Sequence, residues 1–208
     1  MSACGDSPSI GLSAIEPNEL VRRAHGGCAD SFTELARRFR PRLLNLLRNR
    51  MGAMHSDAED IVQEAFARAF QHLERFDQRY RFSTWLYTIA IRLAHDDVRN
   101  RRRQPQHVSL DEANCDPWES GVSERTERQE AVDNLWLTAR SVLTDSQYTA
   151  MWLRYAEDMS IVEVAQVLQK TRIGIRVLLH RSRTILIAEI ARRDSANEAK
   201  RRQTTGDD

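Results

Sequence analysis

The chain has 208 residues, of which 29% are charged and 41% hydrophobic, with only 8 glycines and 5 prolines. That is enough chain for one or two domains with real cores, and so few turn residues favour a helix-rich protein over an all-β one. Cys4, Cys28 and Cys115 are scattered and odd in number, which predicts no disulfide frame and no zinc site; with no leading apolar segment and no long apolar run, the expectation is a cytoplasmic protein without membrane insertion.

The formal net charge of +1 hides segregation: residues 1–30 carry net −2, 31–104 net +6, 105–130 net −5 and 131–208 net +2. A basic block, an acidic connector and a mildly basic block predict two modules that meet something anionic. Apart from Lys170 and Lys200 the lysine-plus-arginine charge is all arginine. That suits forked contacts to phosphate and guanine, and a GC-rich genome would give the same bias.

In chain order, residues 1–16 are small and polar and are expected to be disordered. From Pro17 a helical pattern runs through Leu20, Val21 and Ala24 to a "HGGC" break. Phe32, Leu35, Phe39, Leu43, Leu46 and Leu47 recur at helical steps, and Pro41 among them predicts a kink or a two-piece helix. Asp57 is the expected N-cap of the next helix, with Glu59 and Asp60 in its first turn and a stripe of Val62, Phe66, Ala69, Phe70 and Leu73. Ser83 or Thr84 is expected to cap a further helix, striped by Leu86, Ile89, Ala90, Leu93 and Val98 and ending in a basic run, Arg99 to Arg103.

Residues 104–123 combine two prolines, Asn114, Gly121 and acidic side chains, and read as a linker. Beyond it Val132, Leu135, Trp136 and Ala139 form a stripe, and "TDSQ" (Thr144, Gln147) and "SIVE" (Ser160, Glu163) fit the capping box that opens a helix. Thr171 caps a last helix, "TRIGIRVLLHRSR". The predicted fold is all-α: two small helical bundles joined by a flexible acidic linker.

On a helical wheel Ile175, Leu179, Ser182 and Leu186 fall within about 60° of one another, and Arg172, Arg176, His180 and Arg183 form a basic stripe beside them. A short helix, Ile161 to Leu168, precedes them across "QKT". The pair reads either as a helix-turn-helix whose second helix enters the major groove, or as an ordinary hairpin with a solvated arginine face.

Taken together, "DAEDIVQEAFARAF", "RFSTWLYTIAIRLAHDDVRNRRRQ" and "LTDSQYTAMWLRYAEDMSIVEVAQVLQKTRIGIRVLLHRSR" resemble, in order and spacing, the bacterial RNA polymerase sigma factors of the sigma-70 family, extracytoplasmic-function (ECF) subfamily. The resemblance implies region 2 over residues 17–104, a linker over 105–123, region 4 over 124–191 and a polar tail over 192–208. It implies core-polymerase docking, on the largest subunit's coiled coil and the flap, with Asp60, Gln63 and Glu64 on the coiled coil. Arg79, Tyr80, Arg81, Phe82, Trp85 and Arg92 would meet the −10 element, where flipped bases want aromatic stacking surfaces and a basic groove. Trp85 is foremost a core anchor for that loop, and Arg99, Arg101, Arg102 and Arg103 would lie along phosphates. Thr171, Arg172, Arg176, His180 and Arg183 would meet the −35 duplex, with Arg176 placed to bridge guanine O6 and N7.

The resemblance further implies promoter DNA and an anti-sigma factor as partners, a nucleoid-associated location, and no catalytic residue, cofactor or metal. Some positions depart from the family pattern: Ile173 and Gly174 at the recognition-helix start, Val177 and Leu178 where Ser and Arg are common, Gln169 for the turn glycine, Thr144 for proline, Tyr148 for arginine and Arg92 for asparagine. Two other functions compete. A stand-alone helix-turn-helix regulator would need only residues 144–186. A metal-dependent phosphohydrolase would use His95, Asp96 and Asp97, with His55, Asp57 and Glu59 as further ligands, and needs several such groups converging.

Overall fold

A computed structural model describes residues 11–51, 55–103 and 127–204. Among them are eight α-helices and two short 3-10 turns, and no strand. They divide into two compact units, one holding the first four helices and the other the fifth, sixth, eighth and most of the seventh.

The first unit contains α1 (Pro17–His25), α2 (Ala29–Met51), α3 (His55–Gln71) and α4 (Phe82–Arg103). Their apolar faces close one core: Leu20 from α1, Leu35, Leu43, Leu46 and Leu47 from α2, Val62 and Ala65 from α3, Leu86, Tyr87 and Ala90 from α4 are all at most 1% exposed. At about 1.5–3 kcal/mol for each fully buried large side chain, this shared core outweighs any single cap or ion pair. The helix α2 runs as one element through Pro41, not two pieces. Proline removes one backbone bond and crowds the preceding turn, but here it is exposed, and the Leu-rich face on the other side holds the segment together. Asp57 is not the cap of α3, which starts two residues earlier, at His55.

Residues 11–16 were expected to be disordered with the rest of the N-terminal stretch, yet they are ordered. Leu12–Ala14 form a 3-10 turn, Ile15 is buried, and Arg38 of α2 donates to the Ile15 carbonyl at 2.6 Å and the Leu12 carbonyl at 2.5 Å. Glu34 in turn accepts from Arg38 at 2.7 Å and from Arg37 at 2.7 and 2.8 Å. These hydrogen bonds hold the Glu34 carboxyl at about 2, below its ordinary 4.5. Residues 1–10 and the expected linker, 105–123, lie outside the described residues.

The second unit contains α5 (Glu127–Val142), α6 (Asp145–Tyr155), most of α7 (Ile161–Leu168) and α8 (Arg172–Thr204). Both capping boxes form: Thr144 with Gln147, and Ser160 with Glu163. Trp136, Tyr148 and Trp152 pack with ring centroids 4.9 to 6.1 Å apart. The α5 stripe is buried only at its C-terminal end: Ala139 is inside, whereas Val132 and Leu135 are 39% and 37% exposed. Helix α8 continues past residue 191, through what composition reads as a tail. Arg193 donates to Thr138 Oγ1 at 2.8 Å and Ser141 Oγ at 3.1 Å, and with Arg192 it holds Glu189 at about 2.

A carboxylate held below its ordinary pKa adds stability above that value and loses it as pH falls through 4.5 toward 2. Glu34→Gln should therefore lower the unfolding midpoint at pH 7 and flatten its fall between pH 4.5 and 2. Parallel pH slopes for variant and parent, by thermal unfolding, would remove this clamp from the account.

Candidate functional site

The outward side of α3 carries Asp60, Gln63 and Glu64, all exposed. Glu64 is paired with Arg68 at 2.6 Å, an exposed i,i+4 bridge of the kind worth about 0.5 kcal/mol, so a partner's cation can take its place cheaply. The expected apolar stripe fails at its end: Phe66 is buried, but Phe70 is 57% exposed. Seven residues from Gln63 is nearly two full turns, so Phe70 comes round to the polar side, within about 20° of Gln63. Its ring meets Phe32 of α2 edge-on at 4.9 Å. The face therefore has an apolar end that the periodicity had assigned to the core.

Between α3 and α4 the chain makes a 3-10 turn at Leu73–Arg75 and then the loop "FDQRYRF". The Tyr80 amide donates to the Asp77 carbonyl at 3.0 Å, and the Arg79 amide donates to Asp77 Oδ1 at 3.0 Å. The Arg79 guanidinium closes on the same carboxylate at 2.6 to 3.0 Å and holds Asp77 below the ordinary carboxylate range. Arg79 is thus part of the turn's own frame. Arg81 is exposed, and Tyr80, 47% exposed, is the aromatic ring the loop offers outward.

Phe82 does not offer one. It is 0% exposed, with ring centroids 5.6 Å from Phe39, 5.9 Å from Phe76 and 6.0 Å from Trp85. Its expected role as a stacking surface is corrected to that of anchor, because Phe82 opens α4 and packs into the aromatic cluster, whereas Tyr80 sits in the exposed turn closed on Asp77. Trp85, half-buried and 5.3 Å from Phe76, belongs to the same cluster. Ser83 and Thr84 are buried within the first turn of α4 and do not cap it. The Phe82 amide donates instead to Asn18 Oδ1 of α1 at 3.0 Å. Further along α4, Arg92 and Arg99 are exposed, the latter bridged to Asp96 at 3.1 Å. The backbone of Arg101, Arg102 and Arg103 completes the helix, and their side chains lie outside the described residues.

In the second unit α7 ends on Gln169, whose φ of +52° puts it in the left-handed region usually filled by glycine. The Lys170 amide donates back to the Ala165 carbonyl at 3.0 Å, completing a Schellman turn. The left-handed conformation costs a non-glycine residue about 1–2 kcal/mol, which the turn meets from its other bonds. Thr171 Oγ1 accepts from the Gly174 amide at 3.0 Å, so Thr171 caps α8. Ile175, Leu179, Ser182 and Leu186 are buried. Arg172, Arg176 and His180 are exposed on the adjoining face, and Arg183 is exposed but donates back to the Leu179 carbonyl at 3.3 Å. Ile173 (72% exposed) and Val177 (44%) stand one turn apart beside Arg176 and His180.

Residues 35–104, from α2 through the end of α4, match the family model Sigma-70 region 2. Over 174 residues the chain is 27% identical to the ECF RNA polymerase sigma factor SigW of Bacillus subtilis, covering 80% of this chain and 92% of that one. It is 28% identical over 181 residues to the RNA polymerase sigma-H factor of Pseudomonas aeruginosa, covering 83% and 92%. The chain belongs to the ECF sigma factors of the sigma-70 family. The fold agrees: CnrH, solved in complex with the cytosolic domain of CnrY, superposes with a TM-score of 0.58 at 22% identity, over 84% of this chain and 97% of that one.

Sigma factors are not enzymes, and both competing functions lose their footing. The similarity to SigW is longer than either unit, so the second unit is not a regulator with an unrelated companion. His95 and Asp96 are exposed, and the side chains of His55 and Asp57, two of the further ligands a phosphohydrolase would use, lie outside the described residues. No described helix is long and apolar enough to cross a membrane.

The inward and outward aromatic residues of the ECF loop should separate cleanly. Phe82→Ala removes a fully buried ring and should cost about 3–5 kcal/mol of first-unit stability, whereas Tyr80→Ala should change it by less than about 0.5 kcal/mol. Equal losses in denaturant titrations would contradict the in-and-out assignment.

Proposed function

We propose that this ECF sigma factor directs core RNA polymerase to promoters through three surfaces. Asp60, Gln63, Glu64 and the adjoining Phe70 dock on the largest subunit; Tyr80 and the basic residues around it capture unstacked −10 bases; and the outer face of α8 reads the −35 duplex. The observation that carries the reading is the content of the matched segment 35–104, which holds both an outward polar helix face and an ordered loop with one exposed aromatic. Residues 17–104 and 124–191 serve as the −10 and −35 modules, working where the chromosome is. An anti-sigma factor is the proposed inhibitory partner, as two of the structural neighbours were solved bound to CnrY and NepR.

Opening the −10 duplex needs no covalent step. Unstacking and unpairing a base costs a few kcal/mol, and one aromatic stack returns about 1–3 kcal/mol, so Tyr80 alone roughly balances one flipped base. Phosphate contacts from Arg81, Arg92, Arg99 and the Arg101–Arg103 run supply the remainder, without sequence choice and with strong salt dependence. On α8, Arg176 is placed for a guanine. Ile173 and Val177 give the same face two apolar ends suited to thymine methyl groups, a different surface from the polar pair common in the family.

Lysine at both Gln63 and Glu64 should abolish co-purification with core polymerase, and a surviving complex would move the docking face elsewhere. Arg176→Ala should cost roughly 1–3 kcal/mol at one −35 base pair. A loss spread evenly over all sequences in a binding-site selection would make Arg176 a phosphate contact. The function as a whole is tested by transcription of genomic DNA with core polymerase and mapped transcript ends. A shared pair of upstream elements is expected, and no added transcripts would refute it.

A further inference from the structure

The loop that offers Tyr80 is fastened from a distant part of the chain. Asn18, in the first turn of α1, donates through Nδ2 to the Tyr80 carbonyl at 2.9 Å and, at a longer 3.5 Å, to the Gln78 carbonyl. Its Oδ1 accepts from the Phe82 amide at 3.0 Å. One amide side chain therefore uses its donor and its acceptor on the two sides of Arg81. It satisfies a loop carbonyl and the first free amide of α4, which that helix cannot satisfy itself. No side chain caps α1 at its own Glu16, so Asn18 is not spent on the helix it belongs to. The start of α1 is itself fixed, because Arg38, gripped by Glu34, holds the Leu12 and Ile15 carbonyls just upstream.

We propose that Asn18 is a positioning residue for −10 strand capture: it presets the Asp77–Phe82 loop so that Tyr80 is presented before DNA arrives. This rests on the −10 role proposed above and adds to it a residue outside the segment that matches region 2. The physical gain is preorganisation, since a loop already ordered pays less conformational entropy when a base stacks on it. The Asp77–Arg79 bridge shapes the tip of the loop, but it lies within the loop and cannot fix its orientation on the bundle. Asn18 and the buried Phe82 ring do that together.

The test uses the full chain, alone and with core polymerase. In the free protein, Asn18→Ala should raise trypsin cleavage after Arg79 and Arg81 about tenfold, with cleavage in the second unit unchanged, and should remove hydrogen-exchange protection at the Phe82 amide. Asn18→Asp keeps the acceptor for that amide but turns an oxygen toward the Tyr80 carbonyl. It should retain the Phe82 protection while trypsin cleavage after Arg79 rises, a split that general destabilisation would not give. With core polymerase, on a single-stranded −10 probe taken from a mapped promoter, Asn18→Ala should weaken capture about tenfold and leave −35 duplex binding as it was. Unchanged cleavage after Arg79 and Arg81, or a loosened loop with undiminished capture, would overturn the role of Asn18 alone. A parent holoenzyme that captures no −10 strand would overturn the underlying reading, and this role with it.

Discussion

The first unit depends on one buried ring. Phe82 sits with no exposed surface among Phe39, Phe76 and Trp85, and it is also the first residue of α4. Burying it fixes where α4 begins, and hence where the preceding loop must end. With Phe82 inward, the turn at Asp77–Tyr80 leaves Tyr80 outward beside Arg79 and Arg81. The proposed surface for catching bases is thereby held by packing energy, which is large, rather than by surface ion pairs, which are worth little. The proposed docking face on α3 and the loop lie on adjoining elements of the same bundle, so one core positions both.

The second unit solves a similar problem with different means. Its helix α8, the proposed reader of the −35 duplex, is placed by buried Ile175, Leu179, Ser182 and Leu186, and by caps that spell out each turn in side-chain hydrogen bonds. Of its two left-handed non-glycine residues, Asp158 and Gln169, the second stands at the turn into that helix. The exposed face then mixes cations with Ile173 and Val177. Such a face is too apolar to be only a phosphate clamp and too basic to be a core, which fits a surface that enters a groove and touches base edges.

Much of this was legible in the sequence, because helices announce themselves by period and caps. The all-α class, the capping boxes at Thr144 and Ser160, the cap at Thr171 and the buried stripe of α8 follow from local rules. The errors arose where a third dimension decides. Phe70 fits a stripe by spacing but comes round to the polar side. Phe82 is as aromatic as Tyr80, and only the packing says which ring faces inward. Asn18 gave no local signal, since its partners are about sixty residues away. The order at residues 11–16 likewise depends on Arg38, which composition does not connect to them.

The central claim is that the loop, with Tyr80 out and Phe82 in, opens promoter DNA by capturing −10 bases. Permanganate footprinting of −10 thymines in complexes of core polymerase with the parent chain or Tyr80→Ala tests it most directly. The account predicts that the variant still occupies the −35 element while thymine reactivity at −10 falls about fivefold or more, the value of one lost aromatic stack at roughly 1–3 kcal/mol. Undiminished reactivity with the Tyr80 ring removed would contradict it.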